Sequence, residues 1–271
     1  MILAIRILSS RPGKVYCLLA IASSIMFISH SSLSQGHDTL HAEYTAVLRA
    51  HVEDGLVNYT ELQQDSRLER YLARLATIDP DKLPSRDERL AYWLNLYNAS
   101  TLSLVTVHYP LHSIRAIKLP SDRRATEPRA RSPWDVKFVR TKDDTLTLNE
   151  IEHGIIRTAF DDPRIHFALN CAAVSCPPLR NEAYVSGVLQ EQLEDQTRKF
   201  IRDKRRQRFD RPNRTAHISM VFKWYAADFG GTSTAVLDFI RRYLPRSSTF
   251  PREGWNIQFL EYDWTLNDIA Q

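Results

Sequence analysis

The chain has 271 residues, with 36 Lys and Arg against 32 Asp and Glu and 43% apolar residues. It is long enough to bury a sizeable core without disulfide staples. Taking Arg6, Arg11 and Lys14 from the 36 leaves 33 basic residues against 32 acidic ones. The body of the chain is therefore nearly neutral, which removes any global argument for nucleic-acid binding.

Those three basic residues open an export signal. Val15 to Ile28 is an apolar run interrupted only by small serines, and Ser32-Leu33-Ser34 offers small residues where a signal peptidase reads. Residues 1–34 are expected to be removed, with cleavage near Ser34, leaving about 237 residues. The run falls short of the about 20 apolar residues of a bilayer span, so no stable membrane anchor is expected. No cysteine follows it, which argues against lipoprotein processing. The mature protein is placed outside the cytoplasm, periplasmic or secreted.

Leu40 to Val52 carries helical apolar spacing, and Gly55 ends it before the short extended piece Leu56 to Tyr59. Leu68, Tyr71, Leu72 and Leu75 mark a second helix, stopped by Asp79-Pro80. Ser85 with Glu88 three residues on is a capping box that opens a long helix towards Val107, closed by Tyr109-Pro110. Trp134 to Arg140 reads as a strand, with Thr145 to Leu148 as its hairpin partner. Asn149 is expected to cap a helix bearing Ile151, Ile155, Ile156 and Ala159, and Ile165 to Asn170 reads as a buried strand. Tyr184 to Ile201 is an amphipathic helix. Thr215 to Ser219 is a strand, Val236 to Leu244 a helix and Ile257 to Tyr262 a last strand. Helices dominate the first half, and mixed short strands and helices the second. The fold class is α+β, one domain over residues 40–268. The basic stretches Arg123 to Arg131 and Lys199 to Arg214 read as solvated faces.

The chemistry is concentrated in Asp162 to Pro178. An apolar run there carries His166, ends in Cys171 and meets Cys176 five residues later. Cys with His can make a nucleophile, a metal site or a redox pair. His166 reads as a general base or metal ligand, or equally as a core histidine bonded to backbone. Cys171, at the end of the expected strand, is placed to be exposed, while in an oxidising compartment the two thiols could simply pair. Zinc held by His153, His166 and both thiols ranks below a disulfide or a catalytic thiol, because C-x4-C is loose for a structural site. No other cofactor is expected. Glu152-His153 is a second candidate, although Asn149-x-x-Glu152 fits a capping box and would explain Glu152 without function. Asn95 and Asn98 interrupt the long helix and read as a polar network, or as amides that orient a catalytic imidazole. Asp228, in Asp228-Phe229-Gly230-Gly231, braces the site or caps the following helix near Thr232.

These segments occur in one order: Ala91 to Ala99, Leu148 to His153, Pro163 to Cys171, Cys176 to Leu179, Lys223-Trp224-Tyr225 with Asp228-Phe229, and Tyr262 to Asn267. The order resembles the domain-of-unknown-function family 547, DUF547, over about Tyr44 to Asn267. The resemblance implies no settled activity. Its characteristic polar positions match Asn98, Glu152, His153, His166, Cys171 and Cys176 here. Domains of that family also occur joined to glutaredoxin-like domains, which hints at thiol chemistry. The order differs from that of papain-like enzymes, where the cysteine precedes its histidine.

The leading expectation is a thiol-dependent hydrolase or acyltransferase. Cys171 would be the nucleophile, His166 or His153 the base, and Glu152 or Asn98 the group orienting it. The rivals are a non-catalytic binding or scaffold domain with a Cys171–Cys176 disulfide, and a Cys/His metal-binding domain. Substrate and protein partner are not named by the sequence.

Overall fold

Residues Arg86–His108 form a 23-residue helix, α4, that is buried on almost every side from Leu90 to Leu102. A helix apolar all round is a core helix, and the rest of the fold is laid around this one. Its start is the expected capping box, with Ser85 Oγ accepting the Glu88 N–H at 3.1 Å and Glu88 accepting the Ser85 N–H at 2.8 Å. Its end follows from Pro110, which keeps Tyr109 out of the helical region.

The computed structural model describes residues 39–118, 131–246 and 254–270. His37–Gln271 forms one compact unit. The expected signal segment, and Arg123, Arg124 and Arg129 of the basic loop, lie outside the described residues. Among the described residues no helix is long and apolar enough to cross a membrane.

Helix α1 (Ala42–His51) leads through a two-residue hairpin, β1 (Val52–Glu53) with β2 (Leu56–Val57), to the short α2 (Tyr59–Leu62) and to α3 (Arg67–Leu75). Tyr44 on α1 stacks on Tyr71 of α3 at 4.8 Å, and Tyr92 of α4 donates to the Leu75 carbonyl at 3.2 Å. These helices share one core with α4. A second core is aromatic. Phe167, Phe200, Phe222, Phe229 and Phe239 pack together beside a three-stranded sheet. In that sheet β5 (Gln207–Asp210) runs antiparallel to β6 (Thr215–Ile218), and β6 runs parallel to β7 (Asn256–Phe259). The architecture is α+β, as the mixed pattern of the second half implies.

Four local readings change. Ile165–Ala168 is a helix, α6, not a strand. Asp162-Pro163 starts it: the Asp162 carboxylate accepts the Arg164 N–H at 2.9 Å, and proline is preformed for a first turn. Four residues buried between two cores show no usable period, so the run could not be told from a strand. Of Trp134 to Arg140, only Val139–Arg140 (β3) is strand, paired with Thr145–Leu146 (β4) across the expected turn. Pro133–Asp135 is a 3-10 turn. The helix expected from Tyr184 begins at Leu189 (α7, Leu189–Arg202), after a 3-10 turn over Ser186–Val188. The Lys199 to Arg214 stretch is not simply a solvated face. It contains β5, and the Arg206 side chain is only a tenth exposed.

Candidate functional site

Helix α6 ends at Ala168, and the chain then turns through Asn170 to Pro178 as a tight loop holding both cysteines. Asn170 shapes the loop from within. Its Oδ1 accepts the Ala172 N–H at 2.9 Å and its Nδ2 donates to the Pro177 carbonyl at 2.8 Å. This Asx turn holds Ala172 in the left-handed region, at φ 58°, where an alanine is not at ease. Asn98 of α4 brackets the loop entry: it donates to the Ala168 carbonyl and accepts the Asn170 N–H, both at 2.9 Å. Arg206 closes the far side by donating to the Val174 and Cys176 carbonyls at 2.8 and 2.6 Å. The C-terminal strap runs alongside, with Val174 N–H donating to Thr265 and Ser175 N–H to Asp263. The sequence Tyr262 to Asn267 is therefore one wall of the cysteine loop.

The Cys171 and Cys176 sulfurs lie at disulfide-bonding distance, with their Cα atoms 6.0 Å apart. Cys176 is buried at 1% exposure, and Cys171 is partly exposed. Tyr262 Oη lies 3.2 Å from each sulfur.

Both cysteines face a cavity of about 250 Å³ that Glu152, His153 and His166 also line. The structure thus brings together four of the five residues singled out in the sequence. The fifth, Asn98, is not among the lining residues. Both ends of its amide are taken by backbone, so it positions the loop and does not touch an imidazole.

His166 sits on α6, 4% exposed, with its ring stacked on Tyr225 at 3.8 Å. Its Nε2 is 2.7 Å from Asp228 Oδ2. Asp228 also receives Arg157, with Nε at 2.7 Å and Nη2 at 2.8 Å. The Arg157 guanidinium, then His166, holds the Asp228 carboxyl down at about 2, against an ordinary 3.8. Burial lowers the His166 pKa from its ordinary 6.5, outweighing the opposing pull of Asp228. The imidazole is neutral at pH 7, and the aspartate assigns its proton to Nε2. Nδ1 is then a buried lone pair with no hydrogen-bond partner among the described residues. Asp228 does brace the site, and Thr232 itself caps the helix that follows, α8 (Ser233–Tyr243), by accepting the Ala235 N–H.

Glu152 corrects the capping-box reading. The box belongs to Thr147 and Glu150, whose N–H groups reach each other's side chains at 2.7 and 2.9 Å. The following turns, α5 (Glu150–Ile156), are wound as a π-helix, a distortion common at functional sites. Glu152 is left pointing inward at 6% exposure. It accepts Tyr225 Oη at 2.5 Å and Tyr97 Oη at 3.1 Å. Burial raises both tyrosine pKa values far above the ordinary 10, so these hydroxyls act as donors. His153 stands at the exposed rim, 3.1 Å from Arg157 Nη1.

Sequence reasoning missed Arg157, the two tyrosines on Glu152 and the Tyr262 hydroxyl between the sulfurs. Tyr97, Tyr225 and Tyr262 each stand in a segment that carries the family resemblance, which was the available signal. Among the described residues no group of three or more His, Cys, Asp or Glu is arranged to hold a metal ion.

Residues 80–201 match the family described as "Protein of unknown function, DUF547". The chain carries a DUF547 domain. The match is narrower than the stretch from Tyr44 to Asn267 over which the motifs suggest likeness. Within the DUF547 match lie α4, the Glu152 helix, His166 and both cysteines. Asp228, Tyr225 and the C-terminal strap lie beyond it, so the cavity, which Tyr225, Tyr262 and Trp264 also line, is completed by chain outside the matched residues. No curated protein and no solved structure matches the chain.

Proposed function

We propose that the cavity is a thiol-dependent acyl-transfer site, of a hydrolase or acyltransferase, with Cys171 as nucleophile once its pairing with Cys176 is opened. The observation that carries the reading is the 2.7 Å contact of Asp228 with Nε2 of His166, a residue that lines the same cavity as Cys171. A neutral imidazole with one nitrogen tied to a carboxylate and the other unpartnered is the arrangement of a general base. Asp228 is the orienting group, in place of Glu152 or Asn98.

An external dithiol supplies the two electrons that open the sulfur pair. The S–S bond breaks, two thiols form and the dithiol becomes a disulfide. His166 Nδ1 then takes the Cys171 proton as sulfur attacks an acyl carbonyl. The leaving group departs with that proton, and the thioester is resolved by water or by a second nucleophile. Cys171, the more exposed of the two cysteines, is the one a substrate reaches. We place this chemistry outside the cytoplasm, on the basic start and apolar run of residues 1–34 alone.

The test is turnover of p-nitrophenyl acetate by reduced protein. Cys171→Ala abolishes turnover and leaves the Tm of the reduced protein nearly unchanged. Equal turnover by the variant refutes the reading. A second reading, a binding domain with a structural disulfide, is favoured by the sulfurs lying at bonding distance. It predicts that reduction lowers Tm and unmasks no thiol-dependent activity.

A further inference from the structure

The lining of the cavity is unusual in its chemistry. Trp134, Trp224, Tyr262 and Trp264 form one connected wall, with ring centroids 4.6 to 5.9 Å apart along it. Among the described residues no Lys or Arg lines the cavity, and Glu152 is the only carboxylate that does. Aromatic faces and a carboxylate both attract a cation. Two rings that line the cavity already carry a cation: Arg115 lies 5.1 Å over Trp264 and Arg157 lies 5.2 Å over Tyr225.

We infer that the cavity binds a quaternary alkylammonium head group, through the Trp134–Trp224–Tyr262–Trp264 wall and the Glu152 carboxylate. The inference deepens the acyl-transfer reading by naming a substrate class, and rests on that reading only for calling the ligand a substrate. Two observations choose this ligand over its neighbours. Both Glu152 oxygens already accept tyrosine hydroxyls, so a primary ammonium, which needs three acceptors, is poorly served. A quaternary ammonium asks for none. A sugar could stack on the same rings, but its hydroxyls need free partners. Asp228 is occupied by Arg157 and His166, and Asn149 donates to Asp135 at 2.6 Å. The volume of about 250 Å³ also suits a head group, since pockets for drug-sized ligands run from roughly 300 to 1,000 Å³.

The test is calorimetric titration with choline and with 3,3-dimethylbutan-1-ol, its neutral isostere of nearly the same shape. Choline is expected to bind more tightly by a factor on the order of ten. Glu152→Gln brings that ratio towards one. Trp224→Ala, at the exposed mouth and so safe for folding, weakens choline several-fold. Equal binding of the two probes, no choline binding, or a ratio untouched in both variants overturns the inference. The titration reads binding and not turnover. A failure of the thiol reading leaves a choline result standing, and a failure to bind choline leaves ester turnover to be judged by itself.

Discussion

Replacing Asp228 by Asn removes one charge and almost no volume. In the folded protein the carboxyl sits at about 2 instead of 3.8, a shift of nearly two units. At 1.36 kcal/mol per unit this amounts to about 2 kcal/mol of stability at neutral pH. For a body of this size, 1 kcal/mol moves Tm by about 2–4 °C, so Asp228→Asn should melt about 4–8 °C lower. The sign with pH follows from the direction of the shift. A depressed carboxylate contributes fully above 3.8 and loses its contribution as pH falls through about 2. The gap between wild type and variant is therefore widest at pH 7 and narrows below pH 4. Urea unfolding of both proteins at pH 7 and pH 3 measures it. The reduced variant should also lose about 10²- to 10⁴-fold in ester turnover, because the imidazole no longer has its tautomer fixed. A Tm within 1 °C of wild type, or a gap that grows as pH falls, refutes the assignment of Asp228 as the charged partner of His166 and Arg157.

Three further outcomes follow from the same geometry. His166 has a lowered pKa, so its contribution is complete above pH 6.5 and is lost as pH falls from 6.5 towards the folded value. The wild-type urea midpoint should drop between pH 7 and pH 5 more than that of His166→Phe, and parallel curves would contradict this. Gly55, at φ 85°, turns the β1–β2 hairpin against Pro178, where an added Cβ would lie 2.5 Å from the proline Cβ. Gly55→Ala should cost about 1–3 kcal/mol by strain and overpacking, read as a lower urea midpoint, and a neutral substitution would show that this contact is not tight. Glu152→Ala strands the Tyr97 and Tyr225 hydroxyls at the cavity and should destabilise by about 1–3 kcal/mol for each left unpaired, while Glu152→Gln should recover most of the loss in the same urea titration.

What the sequence disclosed was local in origin. The Ser85–Glu88 box and Pro110 mark the two ends of α4 to within a few residues, and the β3–β4 hairpin declares itself by its turn. The gathering of Glu152, His153, His166 and Cys171 at one place was legible as motif density. Their partners were not. Asp228 lies 62 positions from His166, and Tyr262 lies 91 from Cys171. Such pairs leave no period in either segment. Glu152 was misread because two acceptable caps overlap. Thr147 took the box with Glu150, and the wider π turn carried Glu152 inward. Arg206 looked like one charge in a basic run, yet its guanidinium is fixed by the loop carbonyls it holds.

The central claim is that Cys171 attacks an acyl carbon with His166 as its base. It is tested most directly by trapping the thioester. Reduced protein is mixed with p-nitrophenyl acetate, quenched in acid within one turnover, and its peptides weighed. The account predicts one acetyl group on the peptide bearing Cys171, absent when the protein is unfolded in urea and strongly reduced in His166→Ala. Acetyl groups spread over lysines, or labelling of Cys171 that is the same in folded, unfolded and His166→Ala protein, would contradict it.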